Sequence, residues 1–522
     1  MAKSRTALWR FLELVPLHPV FVVANLVLLF ASGEISSIEI STLLWTAAFL
    51  LIGTAILIGA LTPLAGGINR AAIAVTIILI LAIPLPAVIG TPAGMASITR
   101  IALLILVPAA GIALVFGLRR VAGWAPFLTF IFNLVTFALL AQSLIQPVSQ
   151  AIDFAGHRPA PGALYPDIAA AAPAGNSAPD VWHIVMDRYA GAETLQRVYG
   201  FDNTAFLDAL EQRGFSVARA AAANYQRTAA SLTSTLNLDY LTPFEDRVEG
   251  ADQMPLYRAL KDNRVARFFA AQGYALVHAG PWWEPTRHNA HETIDLGYAD
   301  LPELARVMVE RSLLGHFAVA TGMEFGNGRL TQCRRISAQF DRLEATAGSA
   351  ERKFVFAHML LPHPPYVVDA EGNCKSSLAS SRQSREQNYL DQLHYANRRL
   401  LALIDRIQAG PRPAVILLQA DEGPWPGQFA GNELDIGMDA IEVDWSELDR
   451  NQIREKMQIL YALRYPDPPA ASLAPNASPV NAYRMILNRY FGMAYPILPD
   501  RFYLFRDRRH LYDFIDVGEA LR

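Results

Sequence analysis

Five apolar runs occupy the first 145 or so residues: Val15–Leu29, Leu43–Leu61, Ala71–Ile89, Ile101–Leu118 and Ala125–Leu144. Each is close to the roughly 20 residues that a helix needs to cross the hydrocarbon of a bilayer. A buried core helix is the duller reading of any one run. Five in series, almost free of charge, instead describe a membrane domain of about five spans over 1–146. The polar flanks set its direction. Lys3, Arg5 and Arg10 precede the first run, Arg70 lies in the second loop, and Arg119 and Arg120 lie in the fourth. The first loop has Glu34 and Glu39 but no Lys or Arg, and the third has only Arg100 at its edge. Basic residues thus gather on the N-terminal side, which is expected to be cytoplasmic. An odd number of crossings then puts the remainder on the far face of an inner or plasma membrane. Because more spans follow it, the first run is expected to be a retained anchor rather than a cleaved signal.

Beyond residue 146 the composition changes. Pro159–Pro179 is rich in Ala, Pro and Gly and reads as part of a semi-extended linker over 147–179. From residue 180 to 522, compact apolar runs alternate with amphipathic stretches. Val181–Met186, Tyr274–His278, Phe354–His358 and Val415–Gln419 suit strands buried on both faces. Helices are expected at Asn203–Arg213, Tyr389–Ile407, Leu448–Leu463 and Val480–Tyr490. Alternation of this kind implies an α/β domain with a mainly parallel sheet. Cys333 and Cys374 both fall in this part. An exported domain permits a disulfide between them, and two separate thiols are the equal alternative. The net charge of −3 and the lack of a basic run exclude a nucleic-acid partner.

Ligands of open α/β sheets bind beyond the carboxyl ends of the strands. Asp187 follows the first strand, and His358 ends another, with His363 a short turn later. Asp421-Glu422-Gly423 follows Val415–Ala420. Carboxylates and imidazoles gathered at one edge can hold a divalent cation and move protons. Taken singly, each has a plain reading: helix cap, core histidine or loop turn. The hydroxyl candidate is Thr228, at the start of a helix expected to run to Leu238. A helix start presents free backbone N–H groups and a positive dipole end, which favour an alkoxide and an incoming phosphate. An ordinary N-cap is its bland alternative, and Ser231 and Ser234 are rival hydroxyls.

These residues resemble the membrane-bound sulfatase-like branch of the alkaline phosphatase superfamily. The lipoteichoic acid synthases and phosphoethanolamine transferases are the nearest in layout. The likeness rests on Pro179 through Asp187, Tyr199-Gly200-Phe201-Asp202-Asn203, Asn224-Tyr225 through Thr228 with Ser231-Leu232, and His358 through Tyr366. Gln419 through Gly423, Pro479 through Arg484 and Tyr490-Phe491-Gly492 complete it. It implies an alkaline phosphatase-like α/β domain behind the membrane helices. Asp187 and Asp421 would be metal ligands, Thr228 the nucleophile that takes a phospho-group covalently, and His363 and His358 the substrate contacts. Glu422 stands where this branch usually has histidine, so a hard cation such as Mg²⁺ or Mn²⁺ is expected. The implied activity is transfer of a phospho-group from a membrane lipid to an extracytoplasmic glycan or polymer. A phosphate or sulfate ester hydrolase is the first alternative, although no Cys/Ser-x-Pro-x-Arg motif of the formylglycine sulfatases is present. A non-catalytic scaffold on the same fold is the second, and Glu422 is its best support.

Overall fold

In the computed structural model the described residues are 7–31, 38–89, 97–120, 122–155, 159, 164–168, 178–245, 247–248, 250–298, 301–321, 323, 328–429, 443–467 and 472–522. About half of the expected linker 147–179, and Lys3, Arg5 and Glu34, lie outside them. The chain forms two compact units, one helical and one α/β.

The helical unit contains α1 (Ala7–Leu14), α2 (His18–Ala31), α3 (Ile40–Ala65), α4 (Ile68–Ala82), α5 (Pro84–Ile89), α6 (Ser97–Arg120) and α7 (Ala125–Ala155). Among the described residues, four stretches are long and apolar enough to cross a membrane: Ile40–Ala65, Ile68–Pro86, Ile98–Arg120 and Ala125–Gln150. The first expected span, Val15–Leu29, is the shorter helix α2. Pro16 interrupts the helix and leaves α2 with 14 residues.

Asn133 of α7 repairs that interruption. Its Oδ1 accepts from the N–H groups of Leu17 and His18 at 2.8 and 2.7 Å. Its Nδ2 donates to the carbonyls of Leu12 and Val15 at 2.8 and 2.9 Å. One buried amide thus satisfies four backbone groups that lipid would leave bare. Further contacts set the direction of packing. Trp9 stacks on Phe130 at 4.5 Å, Phe21 meets Phe137 at 5.6 Å, and Ser143 donates to Asn25 at 2.6 Å. Numbers rise together on both sides, so α1 and α2 run parallel to α7 over most of its apolar length. Asn133→Leu is expected to destabilise this unit by about 2–4 kcal/mol, because the orphaned groups gain no new partners. The thermal midpoint of the full chain in detergent checks this.

The α/β unit is built on a seven-stranded sheet. In chain order its strands are β1 (Asp180–Met186), β2 (Phe215–Val217), β3 (Ala275–Ala279), β4 (Ile294–Asp295), β5 (Lys353–Met359), β6 (Ala414–Gln419) and β7 (Tyr461–Arg464). Their spatial order is β2-β7-β6-β1-β5-β3-β4. From β6 to β4 every pair is parallel, while β7 is antiparallel to β6 and to β2. The central strands β1, β5 and β6 are buried throughout, which explains their near-continuous apolar sequence.

Two expectations need adjusting. The single helix expected over Leu448–Leu463 is a helix at Arg450–Met457 followed by β7. The apolar run after Met457 joins the ladder of β6 instead of continuing the helix. The helical unit also reaches past residue 146 to the end of α7, and it includes two helices from the middle of the chain, Glu303–Arg311 and Leu313–Thr321. Cys333 and Cys374 are joined in a disulfide with Cα atoms 5.6 Å apart.

Candidate active site

Register brings the first group of site residues together. Across the sheet, Val185 of β1 stands opposite both His358 of β5 and Gln419 of β6. Side chains alternate faces along a strand, so Asp187 and Asp421, two places beyond Val185 and Gln419, share the face of His358. All three are buried, and one ligand atom from each lies within 4.8 Å of the others. His358 Nε2 is 3.3 Å from Asp187 Oδ2. Among the described residues, Asp187 Oδ1, Asp421 Oδ2 and His358 Nε2 have no hydrogen-bond partner. Buried lone pairs left unmet are costly, and two carboxylates with an imidazole are a donor set that a divalent cation completes.

The imidazole is oriented from behind. Thr286, on the short helix Glu284–Arg287, has its hydroxyl 2.7 Å from His358 Nδ1. The Thr286 carbonyl accepts from His278 Nε2 at 2.8 Å, and the edge of Trp283 rests on the His358 ring. Support of this kind fixes ring direction and leaves Nε2 toward the carboxylates. The two tryptophans are packing residues here: Trp282 is buried, and Trp283 also meets Tyr257.

Thr228 is the first residue of the helix Thr228–Asn237, whose C-cap Leu238 adopts a left-handed conformation. Its side chain lies close enough to the Asp421 carboxylate to favour the charged form of that group. Thr228 is half-buried, whereas Ser231 and Ser234 have no exposed surface. Of the three hydroxyls, Thr228 alone combines access with the cluster and the helix start. His363 is half-buried on the turn after β5, near enough for its charge to bear on Asp187.

Neighbouring residues point the other way. Arg188 has φ of 61°, an uncommon conformation for a residue with a Cβ, of the sort that collects at functional sites. That turn aims its N–H at Asp421 Oδ1, 3.1 Å away, and sends its guanidinium to Glu422 Oε1, also at 3.1 Å. Lys456 Nζ reaches the same oxygen at 3.0 Å. Trp425 lies under Arg188, Arg227 and Lys456, with ring centroid distances of 5.4, 5.6 and 5.6 Å. Gly423 makes the close approach possible, since a Cβ there would lie 2.4 Å from the Glu455 carbonyl. Glu422 was expected among the metal ligands; it is engaged by two cations and stands outside the cluster of Asp187, His358 and Asp421. The physical reason is competing charge, because the Arg188 guanidinium and Lys456 Nζ both hold Glu422 Oε1.

These surroundings split the two carboxyls. Burial, then repulsion by Asp187 and Glu422, pushes Asp421 up to about 7, against the pull of His358 and the Thr228 side chain. Burial would raise Asp187 too, but the charges of His363, His358 and Arg188 outweigh it and hold that carboxyl at about 2. Burial lowers Lys456 to about 8, with the Glu422 carboxylate opposing the shift. Arg188, Lys456, Thr286 and Trp425 were absent from the sequence expectations. Only Arg188 carried a signal there, its place directly after Asp187 at a strand end.

No family model and no curated protein matches this sequence. Among solved structures, the chain is similar to the C-terminal periplasmic domain of EcEptC from Escherichia coli in complex with zinc. Identity is 12%, covering 62% of this chain and 87% of that one, with a TM-score of 0.39. It is also similar to the integral membrane lipooligosaccharide phosphoethanolamine transferase A from Neisseria meningitidis, at 12% identity, 89% of each chain and a TM-score of 0.38. A third is the C-terminal periplasmic domain of the phosphoethanolamine transferase EptC from Campylobacter jejuni, at 10% identity, 60% and 89% coverage and a TM-score of 0.36.

Proposed function

We propose that this chain is a membrane enzyme that takes a phospho-group from a lipid onto Thr228 and passes it to an acceptor outside the cytoplasm. The observation that carries this reading is the half-buried Thr228 hydroxyl at a helix start near Asp421, one of three buried groups that could hold a cation and that carry unmet polar atoms among the described residues. Asp187, His358 and Asp421 would hold a divalent cation, which when bound supplies positive charge to the phosphoryl oxygens and favours the alkoxide. With an imidazole among the donors and Glu422 engaged elsewhere, Mn²⁺ or Zn²⁺ suits the set better than Mg²⁺.

The chain's own groups account for the rest. Asp421 holds the Thr228 proton and turns a lone pair of Oγ1 outward. The helix start offers N–H groups to the phosphoryl oxygens. Oγ1 forms a bond to phosphorus as the bond to the leaving oxygen breaks, and His363 protonates that oxygen. An acceptor hydroxyl then displaces Oγ1, with His363 taking its proton.

Sidedness supports the same reading. α1 and α2 run parallel to α7, with α3, α4 and α6 between them in the chain. Counting α1 and α2 together as one crossing would make five, with Arg10, Arg70, Arg119 and Arg120 on the cytoplasmic side and the α/β unit on the other. A disulfide in that unit accords with an oxidising compartment. The test is product analysis with a radiolabelled phospholipid headgroup, with and without an envelope glycan acceptor. Label moving to the glycan is expected. Release of free phosphate ester at the same rate without acceptor would make the chain a hydrolase, and no release at all would leave it a scaffold.

A further inference from the structure

Two helices of the helical unit come from the part of the chain that otherwise builds the sheet. Glu303–Arg311 and Leu313–Thr321 follow β4 in sequence, yet pack among the membrane helices. Leu304 and Met308 close against the latter half of α2, including Val27 and Phe30. Leu313 closes against Leu103 and Val107 in the first half of α6. On the alternating path of the spans, both of these are outer ends, opposite Arg119 and Arg120. Leu314 and Phe317, three residues apart and so on one helix face, are exposed. An apolar outer face at this level belongs to a helix lying in the headgroup region.

Within this pair His316 stands out. It has no exposed surface, and among the described residues neither ring nitrogen has a hydrogen-bond partner. A buried polar group left without a hydrogen bond is costly. Arg100, in the first turn of α6, is near enough for its charge to act on the ring. A guanidinium beside an imidazole with two unmet nitrogens is chemistry that phosphate oxygens complete. We infer that His316 and Arg100 form a binding site for a phosphate-bearing anion at the outer membrane surface, that of a phospholipid headgroup, and that the Glu303–Thr321 helix pair reads the lipid. The site rests on the outward placement of the α/β unit proposed above, and would bind the class of lipid that the proposed enzyme consumes.

The test uses the full chain in detergent, with dioleoylphosphatidylglycerol, dioleoylglycerol or inorganic phosphate added and retention read by native mass spectrometry. Wild type is expected to retain the phospholipid at least tenfold better than dioleoylglycerol. His316→Leu and Arg100→Gln should each remove that preference, and His316→Lys, which keeps a donor, should retain it. Metal content should be the same in all four proteins. Equal retention of the two lipids by wild type, or an unchanged preference in both His316→Leu and Arg100→Gln, overturns the proposal. Inorganic phosphate binding that is lost in those variants, without any lipid preference, keeps the phosphate chemistry but overturns the lipid source. Loss of catalysis with the lipid preference intact would count against the Thr228 reading alone.

Discussion

Replacing Thr228 by alanine is expected to lower turnover by roughly 10⁴-fold or more while leaving the fold and the cation content in place. Thr228 is half-buried at the first position of its helix, so losing a hydroxyl and a methyl leaves no sealed cavity. Alanine also suits a helix. What disappears is the one accessible oxygen that meets both Asp421 and the helix start. Thr228→Ser should keep measurable turnover, because it keeps that oxygen and gives up only a methyl. Steady-state rates with a phospholipid donor, alongside metal analysis and thermal melts, separate loss of chemistry from loss of structure. Equal turnover in wild type and Thr228→Ala would remove the nucleophile from the account.

The second large effect concerns the cation. Asp421→Asn is expected to weaken divalent cation binding by roughly 100-fold or more, since even outer-shell partners of a metal site are worth 10–100-fold. Chelation should abolish turnover, and Mn²⁺ or Zn²⁺ should restore it. The pH dependence has a definite sign. In the cation-free protein Asp421 is raised to about 7 from an ordinary 3.8, so its neutral form is the one the fold favours. Its contribution to stability is full below about pH 4 and is lost as pH rises through 7. A dication reverses this by favouring the carboxylate, so binding displaces a proton and weakens as pH falls below 7. The thermal midpoint without cation should therefore decline from pH 5 to 8, and the gain on adding cation should grow over the same range. Asp421→Asn should flatten both trends. Asp187, held at about 2, keeps its charge throughout this window and adds no slope.

How much of this could be read beforehand follows from the kind of signal each residue carries. Strands buried on both faces write themselves as apolar runs, so β1, β5 and β6 were found within a residue or two, and with them the positions of Asp187, His358 and Asp421. The start of the helix at Thr228 was legible from the same local pattern. Other features depend on distant parts of the chain. Lys456 sits on a short helix whose sequence, Arg450 to Met457, reads as a solvated surface, yet it is fully buried against Glu422. Nothing local announces Thr286 behind His358, because their contact spans 72 residues. Glu422 was placed by likeness to a motif, and Arg188 and the distant Lys456 engage it instead. Pro16 breaks the helix ahead of α2, and the repair by Asn133 lies more than a hundred residues away. The helix pair at Glu303–Thr321 is too short and too polar in its first half to register as a membrane element.

Peptide mapping of the full chain after brief incubation with phospholipid tests the central claim most directly. A single phospho-adduct on Thr228, absent from the chelated protein and from Asp421→Asn, is the expected result. An adduct on Ser231, Ser234 or any other residue, or one that forms equally well without a cation, would contradict it.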